Sequence, residues 1–352
     1  MTKLYLIRHA EAEGNVYRRL QGQFDGRITP NGLAQIAALQ QRFADVSIDA
    51  VYASDLYRTR KTAEAICLPK GLPLRLDPRF REVNVGVWEN LPFGWLARTE
   101  PERLEAFRSD PAHWIVPGAE RFEQYSGRFA AGLTELAQRH DGQSVAVFTH
   151  GCVLSGGLNR LIGLPFDFSK SDNTTVCLLE YENDRFSPVY LFDNSHLSEA
   201  LSTRARQRRL RGRGDRLELW FRGAGPEDAA LYDPAWMPAT EDQVWIALQG
   251  EEALGYAALN NSGITCLWLR PAYRHRRLGD QLFGQAVAAL RDAGQSAISI
   301  GIPTVNVEAL SFLSHLCGNP VQMDDCYTVF RTELAPIGAE PQPPEATKGF
   351  GC

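Results

Sequence analysis

Alternating strand and helix patterns predict an α/β fold for the first part of this chain, and a run of hairpins followed by helices predicts a smaller α+β domain for the second. Three observations carry that reading. Apolar runs too short for helices lie at residues 4–7, 49–52 and 144–148, and each ends abruptly in polar residues. Segments of helical period stand between them, the mark of strands lying side by side in a parallel sheet. The length, 352 residues, exceeds one ordinary domain and points to two.

Composition narrows the class. Hydrophobic residues make up 44% and charged residues 22% of the chain, a balance that fills a core and leaves a solvated surface. The formal net charge of −5 argues against a general nucleic-acid binder, so no nucleic-acid partner is expected. No apolar run reaches the length of a membrane span, and no membrane partner is expected. Lys3 leads straight into the first strand, a start without a secretory signal. The seven cysteines are scattered with no C-x-x-C pair, which suits free thiols in a reducing cytoplasm better than disulfides or zinc.

The elements follow in order. Leu4, Tyr5, Leu6 and Ile7 read as a strand buried on both faces, and it stops at Arg8-His9. Thr29-Pro30-Asn31 reads as a helix start with Pro30 in the first turn, after which Leu33, Ile36, Leu39 and Phe43 fall on one face. A second strand over residues 49–52 ends in Ala53-Ser54-Asp55, and the next helix sets Arg58 and Thr62 one turn apart. Residues 83–118 are less regular and hold Trp88, Phe93, Trp95, Phe107 and Trp114. Those aromatics serve either as core or as the floor of a pocket for an apolar leaving group. Phe122, Tyr125, Phe129, Leu133 and Leu136 restore a helical period, and the strand at residues 144–148 runs into Thr149-His150-Gly151. Three strand ends thus carry Arg8-His9, Ser54 to Arg58, and His150, at the sheet edge where α/β proteins bind ligands.

Phosphoryl transfer through a covalent intermediate calls for residues of these kinds. It needs a nucleophile that is neutral at pH 7, cations around the phosphate, and a proton donor for the leaving oxygen. Histidine meets the first need, and flanking arginines disfavour its protonated form. The arginine fork meets the second by matching phosphate oxygens two at a time. A carboxyl group meets the third, since a phosphate dianion beside it raises its proton affinity.

Arg8-His9-Ala10-Glu11 resembles the R-H-G-E signature of the histidine phosphatase superfamily, which also contains the phosphoglycerate mutases. Further elements recur in that family's order: Gln21-Gly22-Gln23, Thr29-Pro30-Asn31-Gly32, Ser54-Asp55-Leu56-Tyr57-Arg58-Thr59, the stretch from Arg81-Glu82 to Trp88-Glu89, Pro117-Gly118-Ala119-Glu120, Thr149-His150-Gly151 and His196-Leu197. Ala10 and Ala119 stand where glycines are usual. The resemblance spans roughly residues 3–200 and implies a three-layer α/β/α domain with a mostly parallel sheet, here residues 1–201. It implies that His9 is the nucleophile and that Glu82 gives a proton to the leaving oxygen. It implies that Arg8, Arg58 and His150 line the phosphate pocket, with Asn15 and the backbone of Gly151 as lesser contacts. No metal and no cofactor is implied for this domain. Glu11, Glu89 and His196 are read as structural, and His113, His140 and His315 as solvated or satisfied histidines.

Residues 202–216 hold seven arginines and read as a linker, helical at first and a solvated connector by default. Strands at residues 217–221, 243–248, 253–259 and 264–269 follow, the last three joined by hairpin turns. A helix from Leu278 to Leu290, a strand at 297–302, a helix at 307–316 and a strand at 327–334 complete a domain of residues 217–335. The proline-rich tail, residues 336–352, is expected to be disordered.

Residues 268–286 combine a strand, a loop and a helix start, a natural cradle for a pyrophosphate, with Arg270, Arg274, Arg276 and Arg277 beside it. This stretch resembles the acetyl-CoA motif R-x-x-G-x-G/A of the Gcn5-related N-acetyltransferases (GNAT), and Asn306 with Ala309 resembles that family's later N-x-x-A element. The resemblance implies a mixed sheet and an acetyl-CoA site at Arg274, Arg276, Arg277, Leu278, Gly279 and Asn306. Arg277 replaces the first glycine and Leu313 stands where a tyrosine acid is frequent, so a binding or regulatory module is the reading taken. The whole chain reads as a phosphomonoesterase acting on a small phosphorylated metabolite and joined to that module. Two alternatives stand beside it: a bisphosphate-primed phosphoglycerate mutase, and an N-acetyltransferase whose first domain senses a phosphorylated ligand. The compact segment between Glu82 and Glu120 is similar to the phosphatase branch of the histidine phosphatase superfamily, whose cofactor-dependent mutases carry a longer insertion after the acid glutamate. That resemblance implies hydrolysis over isomerisation.

Overall fold

Six strands build the sheet that positions the candidate site: β1 (Thr2–Arg8), β2 (Ala50–Ala53), β3 (Leu74–Leu76), β4 (Ser144–Thr149), β5 (Val176–Glu182) and β6 (Arg185–Asp193). Their order is β3-β2-β4-β1-β5-β6. The first four are parallel, while β5 and β6 run antiparallel at one edge. The helices of this unit are α1 (Glu13–Tyr17), α2 (Pro30–Arg42), α3 (Tyr57–Lys70), α4 (Phe93–Thr99), α5 (Pro101–Ser109), α6 (Phe122–Arg139), α7 (Gly151–Ile162) and α8 (Thr203–Gly212). The computed structural model describes residues 1–212 and 218–334 and divides into two units, Met1–Trp220 and the part from Phe221 onward.

Strand alternation explains the layers. Leu4, Leu6, Val145 and Val147 face one core, built with Phe129, Leu133 and Leu136 of α6 and Val153, Leu154 and Leu158 of α7. Ile7, Ala146 and Phe148 face the opposite core, with Leu39 and Phe43 at the end of α2 and Ala63 and Ile66 of α3. Helices thus cover both faces of a mostly parallel sheet. Gly156 and Gly157 let α7 approach α6 closely, since a Cβ at Gly157 would lie 2.1 Å from the Phe129 ring. That approach sets the place of the α7 N-terminus.

The start of α2 follows the sequence, for Thr29 Oγ1 caps it by accepting the Gly32 N–H (3.0 Å). Its inward face differs. Leu33 is 51% exposed, and Gln35 is fully buried instead, because its amide bonds the Glu11 N–H and the Leu201 carbonyl. Residues 83–118 contain two short helices, α4 and α5, and Trp88, Phe107 and Trp114 are buried in the core. The β5–β6 hairpin ends the sheet, with bulges along the pairing and Pro188 on the edge strand β6.

The arginine-rich stretch begins as α8, and Ser202 and Thr203 at its start are buried, so its first residues are no solvated connector. Residues 213–216 of that stretch, and the tail at 336–352, lie outside the described residues.

The second unit has β7 (Trp220–Gly223), β8 (Gln243–Gln249), β9 (Glu252–Asn260), β10 (Gly263–Leu269), β11 (Ala297–Pro303), β12 (Gln322–Met323) and β13 (Tyr327–Glu333), with α9 (Leu278–Asp292) and α10 (Val307–Cys317). Its strands form two sheets, of order β10-β9-β8-β7 and β11-β13-β12. The β8–β9–β10 and β11–β13–β12 pairings are antiparallel.

Candidate active site

Strand register brings the site together. Arg8 on β1 lies opposite Thr149 on β4, and the His9 N–H donates to the Thr149 carbonyl (2.9 Å). His9 and His150 therefore leave adjacent parallel strands at the same edge, with ring centroids 5.2 Å apart. On the other side of β4, the Ser54 N–H donates to the Phe148 carbonyl (3.1 Å), and α3 starts three residues on and carries Arg58 into the same hollow. Thr62, one turn along α3, accepts the Ala10 N–H (2.9 Å) and ties that helix to the His9 loop.

His9 is buried, and its Nδ1 lies 2.7 Å from the Ala10 carbonyl. A carbonyl oxygen only accepts, so Nδ1 carries the proton and Nε2 keeps its lone pair. Burial, then Arg58, then Arg8, hold the His9 imidazole well below its ordinary basicity. His150 is fixed by the same logic. Arg58 Nε donates to its Nδ1 (3.1 Å), so Nε2 bears the hydrogen that goes to Ser54 Oγ (2.7 Å). Burial, then Arg58, keep His150 neutral too.

The two guanidinium groups are buried cations, and each is lowered in basicity chiefly by that burial. Arg58 donates to the carbonyls of Phe24 (2.8 Å) and Gly22 (2.7 Å). Glu89 holds that loop from behind by accepting the N–H groups of Gly22, Gln23 and Phe24. Arg8 donates to the Ser171 carbonyl, and its Nε is buried without a partner. The flat face of Arg8 lies against Gly151, where a Cβ would stand 3.4 Å from Nε and Cζ. An unsatisfied buried N–H beside a glycine helix start suits an anion.

Glu82 is buried at the N-terminus of α7. Its Oε1 accepts the N–H groups of Val83 (3.0 Å) and Val153 (2.9 Å), and its Oε2 that of Cys152 (3.1 Å). Asn15 uses its carbonyl oxygen on the Ala12 N–H (3.0 Å) and Asn173 Nδ2 (3.3 Å), which leaves its amide as the donating end. Residues 171–175, Ser-Asp-Asn-Thr-Thr, are all buried, and the sequence pattern did not mark them out. Asn173 Nδ2 and the Thr174 N–H both donate to the His9 carbonyl (3.1 and 3.3 Å). A short run of small polar residues before an apolar strand was the available signal. His196 is structural, accepting from Arg42 (3.1 Å) and donating to Thr174 Oγ1 (3.0 Å), and burial lowers its pKa to about 4. Among the described residues, no group of three or more His, Cys, Asp and Glu side chains is placed to hold a metal ion.

The arrangement gathers two guanidinium groups, an imidazole with a bare nitrogen and a carboxyl group, a set of groups suited to a tetrahedral oxyanion. Residues 4–194 match the model of the histidine phosphatase superfamily, branch 1. The chain belongs to that superfamily. The probable phosphoglycerate mutase GpmB of Erwinia tasmaniensis is 31% identical over 188 residues, 53% of this chain and 87% of that protein. YhfR of Bacillus stearothermophilus superposes with a TM-score of 0.53 at 29% identity, over 56% of this chain and 100% of that one. The phosphoserine phosphatase of Entamoeba histolytica, solved with phosphoserine, superposes at 0.50 with 25% identity, over 56% of this chain and 100% of its own. Residues 214–318 match the acetyltransferase (GNAT) family model.

In that second region the loop arginines take separate paths. Arg274 Nε donates to the Leu269 carbonyl (3.1 Å), and Arg276 lies over the Tyr273 ring. Arg277 caps α9 in the left-handed region (φ 61°), with its side chain turned onto Asp280 (3.1 Å) and His315. Leu278 is buried, and Gly279 allows the Phe312 ring of α10 to approach. Asn306 caps α10 by accepting the Ala309 N–H (3.1 Å), and Leu313 is core.

The histidine phosphatase unit should lose stability on mild acidification. Unfolded histidines take up protons near pH 6.5, whereas native His9, His150 and His196 do so only well below it. Their contribution is complete above about pH 7 and declines as pH falls through about 6.5 to 5, by up to about 1.4 kcal/mol per pH unit for each group. Urea denaturation midpoints should fall over that window, and less steeply in His9→Gln. A midpoint independent of pH there would contradict the buried neutral rings.

Proposed function

We propose that the first unit hydrolyses a small phosphomonoester through a phosphohistidine on His9 Nε2. The observation that carries this reading is the His9 ring itself: Nδ1–H is spent on the Ala10 carbonyl, which leaves the Nε2 lone pair free in a ring that burial, Arg58 and Arg8 hold neutral. Arg8, Arg58, Asn15 and the Gly151 N–H bind the phosphoryl oxygens, and His150 backs Arg58. In the first step the Nε2 lone pair attacks phosphorus, the N–P bond forms, the ester P–O bond breaks, and the Glu82 carboxyl proton passes to the leaving oxygen. Oε2 accepts one backbone N–H where Oε1 accepts two, which leaves Oε2 the freer oxygen for proton transfer. In the second step water attacks phosphorus, Glu82 takes its proton, and the N–P electron pair returns to Nε2 with release of inorganic phosphate.

Hydrolysis is favoured over isomerisation by the compactness of the segment between Glu82 and Glu120, which resembles the phosphatase branch and lacks the longer insertion of the cofactor-dependent mutases. The relative named a probable phosphoglycerate mutase supports the second reading. A mutase requires a bisphosphate to load His9, so phosphate release from monoesters without primer separates the two.

His9→Ala should abolish turnover and the trapping of radiolabelled phosphoenzyme. Glu82→Gln should lower kcat/KM for an alkyl phosphate by about 10² to 10⁴, and far less for p-nitrophenyl phosphate, whose leaving group needs little protonation. An equal loss with both substrates would remove Glu82 from the acid role, and an active His9→Ala would end the assignment.

The second unit is read as an acetyl-CoA-binding module. The backbone turn at Arg277 and the long helix behind it support binding, since the Arg277 side chain is drawn aside onto Asp280. The burial of Leu313, where a proton donor would stand, favours binding over transfer. Calorimetric titration of the full chain with acetyl-CoA should give saturable heat. Its absence at millimolar ligand would contradict the module, and acetyl transfer to an amine would favour the transferase alternative.

A further inference from the structure

The superfamily match ends at residue 194, yet the bonds that fix the site run on past it. Ser202 Oγ donates to Asp172 Oδ2 (2.5 Å) and the Arg204 N–H to Asp172 Oδ1 (3.3 Å). Asp172 opens the buried loop whose neighbour Ser171 offers its carbonyl to Arg8 and whose Asn173 and Thr174 hold the His9 carbonyl. A second set of bonds reaches the other loop of the site. Thr203 Oγ1 donates to Glu11 Oε2 (2.5 Å), and Arg206 pairs with the same carboxylate, which is 1% exposed. Gln35 accepts the Glu11 N–H (2.8 Å) and donates to the Leu201 carbonyl (2.8 Å) and Thr203 Oγ1 (3.1 Å). Ser202 and Arg204 thus hold the loop that anchors Arg8, and Thr203 and Arg206 hold the loop that carries His9.

We propose that Ser202, Thr203 and Arg206 are positioning residues of the phosphate site, a clamp that holds Arg8 and His9 at the spacing a phosphoryl group needs. This rests on the reading of Arg8 and His9 as phosphate ligand and nucleophile. The Ser171 carbonyl fixes the Arg8 guanidinium, and that carbonyl moves with Asp172. Loss of Ser202 or Arg206 leaves Asp172 or Glu11 buried with fewer donors, and a buried carboxylate regains donors by shifting its loop. Misplacement of reacting groups by a fraction of an ångström is costly even when its cause lies outside the pocket. The clamp belongs to the start of α8, from which the chain continues toward the acetyltransferase-like region.

The test uses the full chain and four variants: Ser202→Ala, Arg206→Gln, Arg206→Lys, and Arg209→Gln as a control on the same helix, where the partner Glu199 is exposed. Hydrogen exchange read by mass spectrometry should quicken in peptides covering residues 9–12 and 171–175 for Ser202→Ala and Arg206→Gln. In the same folded samples, kcat/KM for p-nitrophenyl phosphate should fall about tenfold or more, and the inhibition constant for inorganic phosphate should rise in parallel. Arg206→Lys should recover most of the loss, and Arg209→Gln should match wild type. Unchanged exchange in those peptides would overturn the clamp, and so would faster exchange with unchanged kinetics, the mark of a merely structural role. Ser202→Ala removes one hydroxyl and no charge, which keeps the comparison open if Arg206→Gln folds poorly. A wild-type chain that turned over no monoester would overturn the hydrolase reading, and the exchange measurement would still decide the clamp.

Discussion

The site depends on two guanidinium groups being buried beside imidazoles that stay neutral. A buried cation is expensive unless its donors are satisfied. Arg58 meets that cost with two backbone carbonyls and His150 Nδ1, whereas Arg8 has the Ser171 carbonyl and keeps its Nε unpaired. Each acceptor is uncharged, so the positive field of the arginines is left to act on what lies between them. That field, together with burial, keeps a proton off His9. The same field is what an incoming phosphate dianion would meet, so under the proposed hydrolysis one arrangement would serve both the His9 lone pair and the affinity for a phosphate.

The rest of the unit supports those contacts in successive layers. Parallel pairing of β1 with β4 and of β4 with β2 delivers His9, His150 and Ser54 to one edge. Close packing of α7 against α6 sets the helix start that receives Glu82. Carboxylates lie behind the cations without touching the phosphate hollow: Glu89 steadies the loop that grips Arg58, and Asp172 steadies the one that grips Arg8. These outer bonds determine direction more than energy, since a side chain held by backbone has little freedom to follow a misplaced substrate.

The sheet and the site were unevenly legible in the sequence. Strands ending at Arg8-His9 and at His150 could be read because a short apolar run suits a buried strand better than a helix, and charged or polar residues mark where it leaves the core. Arg58 and Glu82 rested on ordered motifs, since a lone arginine or glutamate carries no signal of burial. The Ser171 to Thr175 run could not be recognised as buried, because its partners lie far along the chain and composition alone reads it as a surface loop. Gln35 displaced Leu33 from the inward face of α2 for a like reason: its bonds to Glu11 and Leu201 outweigh helical periodicity. The arginines after Leu201 read as solvated until Glu11, 195 positions earlier than Arg206, is seen buried against them. In each case the missing information was a distant partner, which pattern within a window does not contain.

The central claim is that His9 is a neutral imidazole protonated on Nδ1, with its lone pair on Nε2. Nitrogen-15 NMR of the histidine-labelled full chain, followed from about pH 8 to about pH 5.5, reads both facts directly, as unperturbed histidine titrates near 6.5. The account predicts one ring with a protonated Nδ1 and a bare Nε2 whose shifts hold steady across that range, assigned to His9 by its loss in His9→Gln. A His9 signal that titrates near pH 6.5, or that places the proton on Nε2, would contradict it.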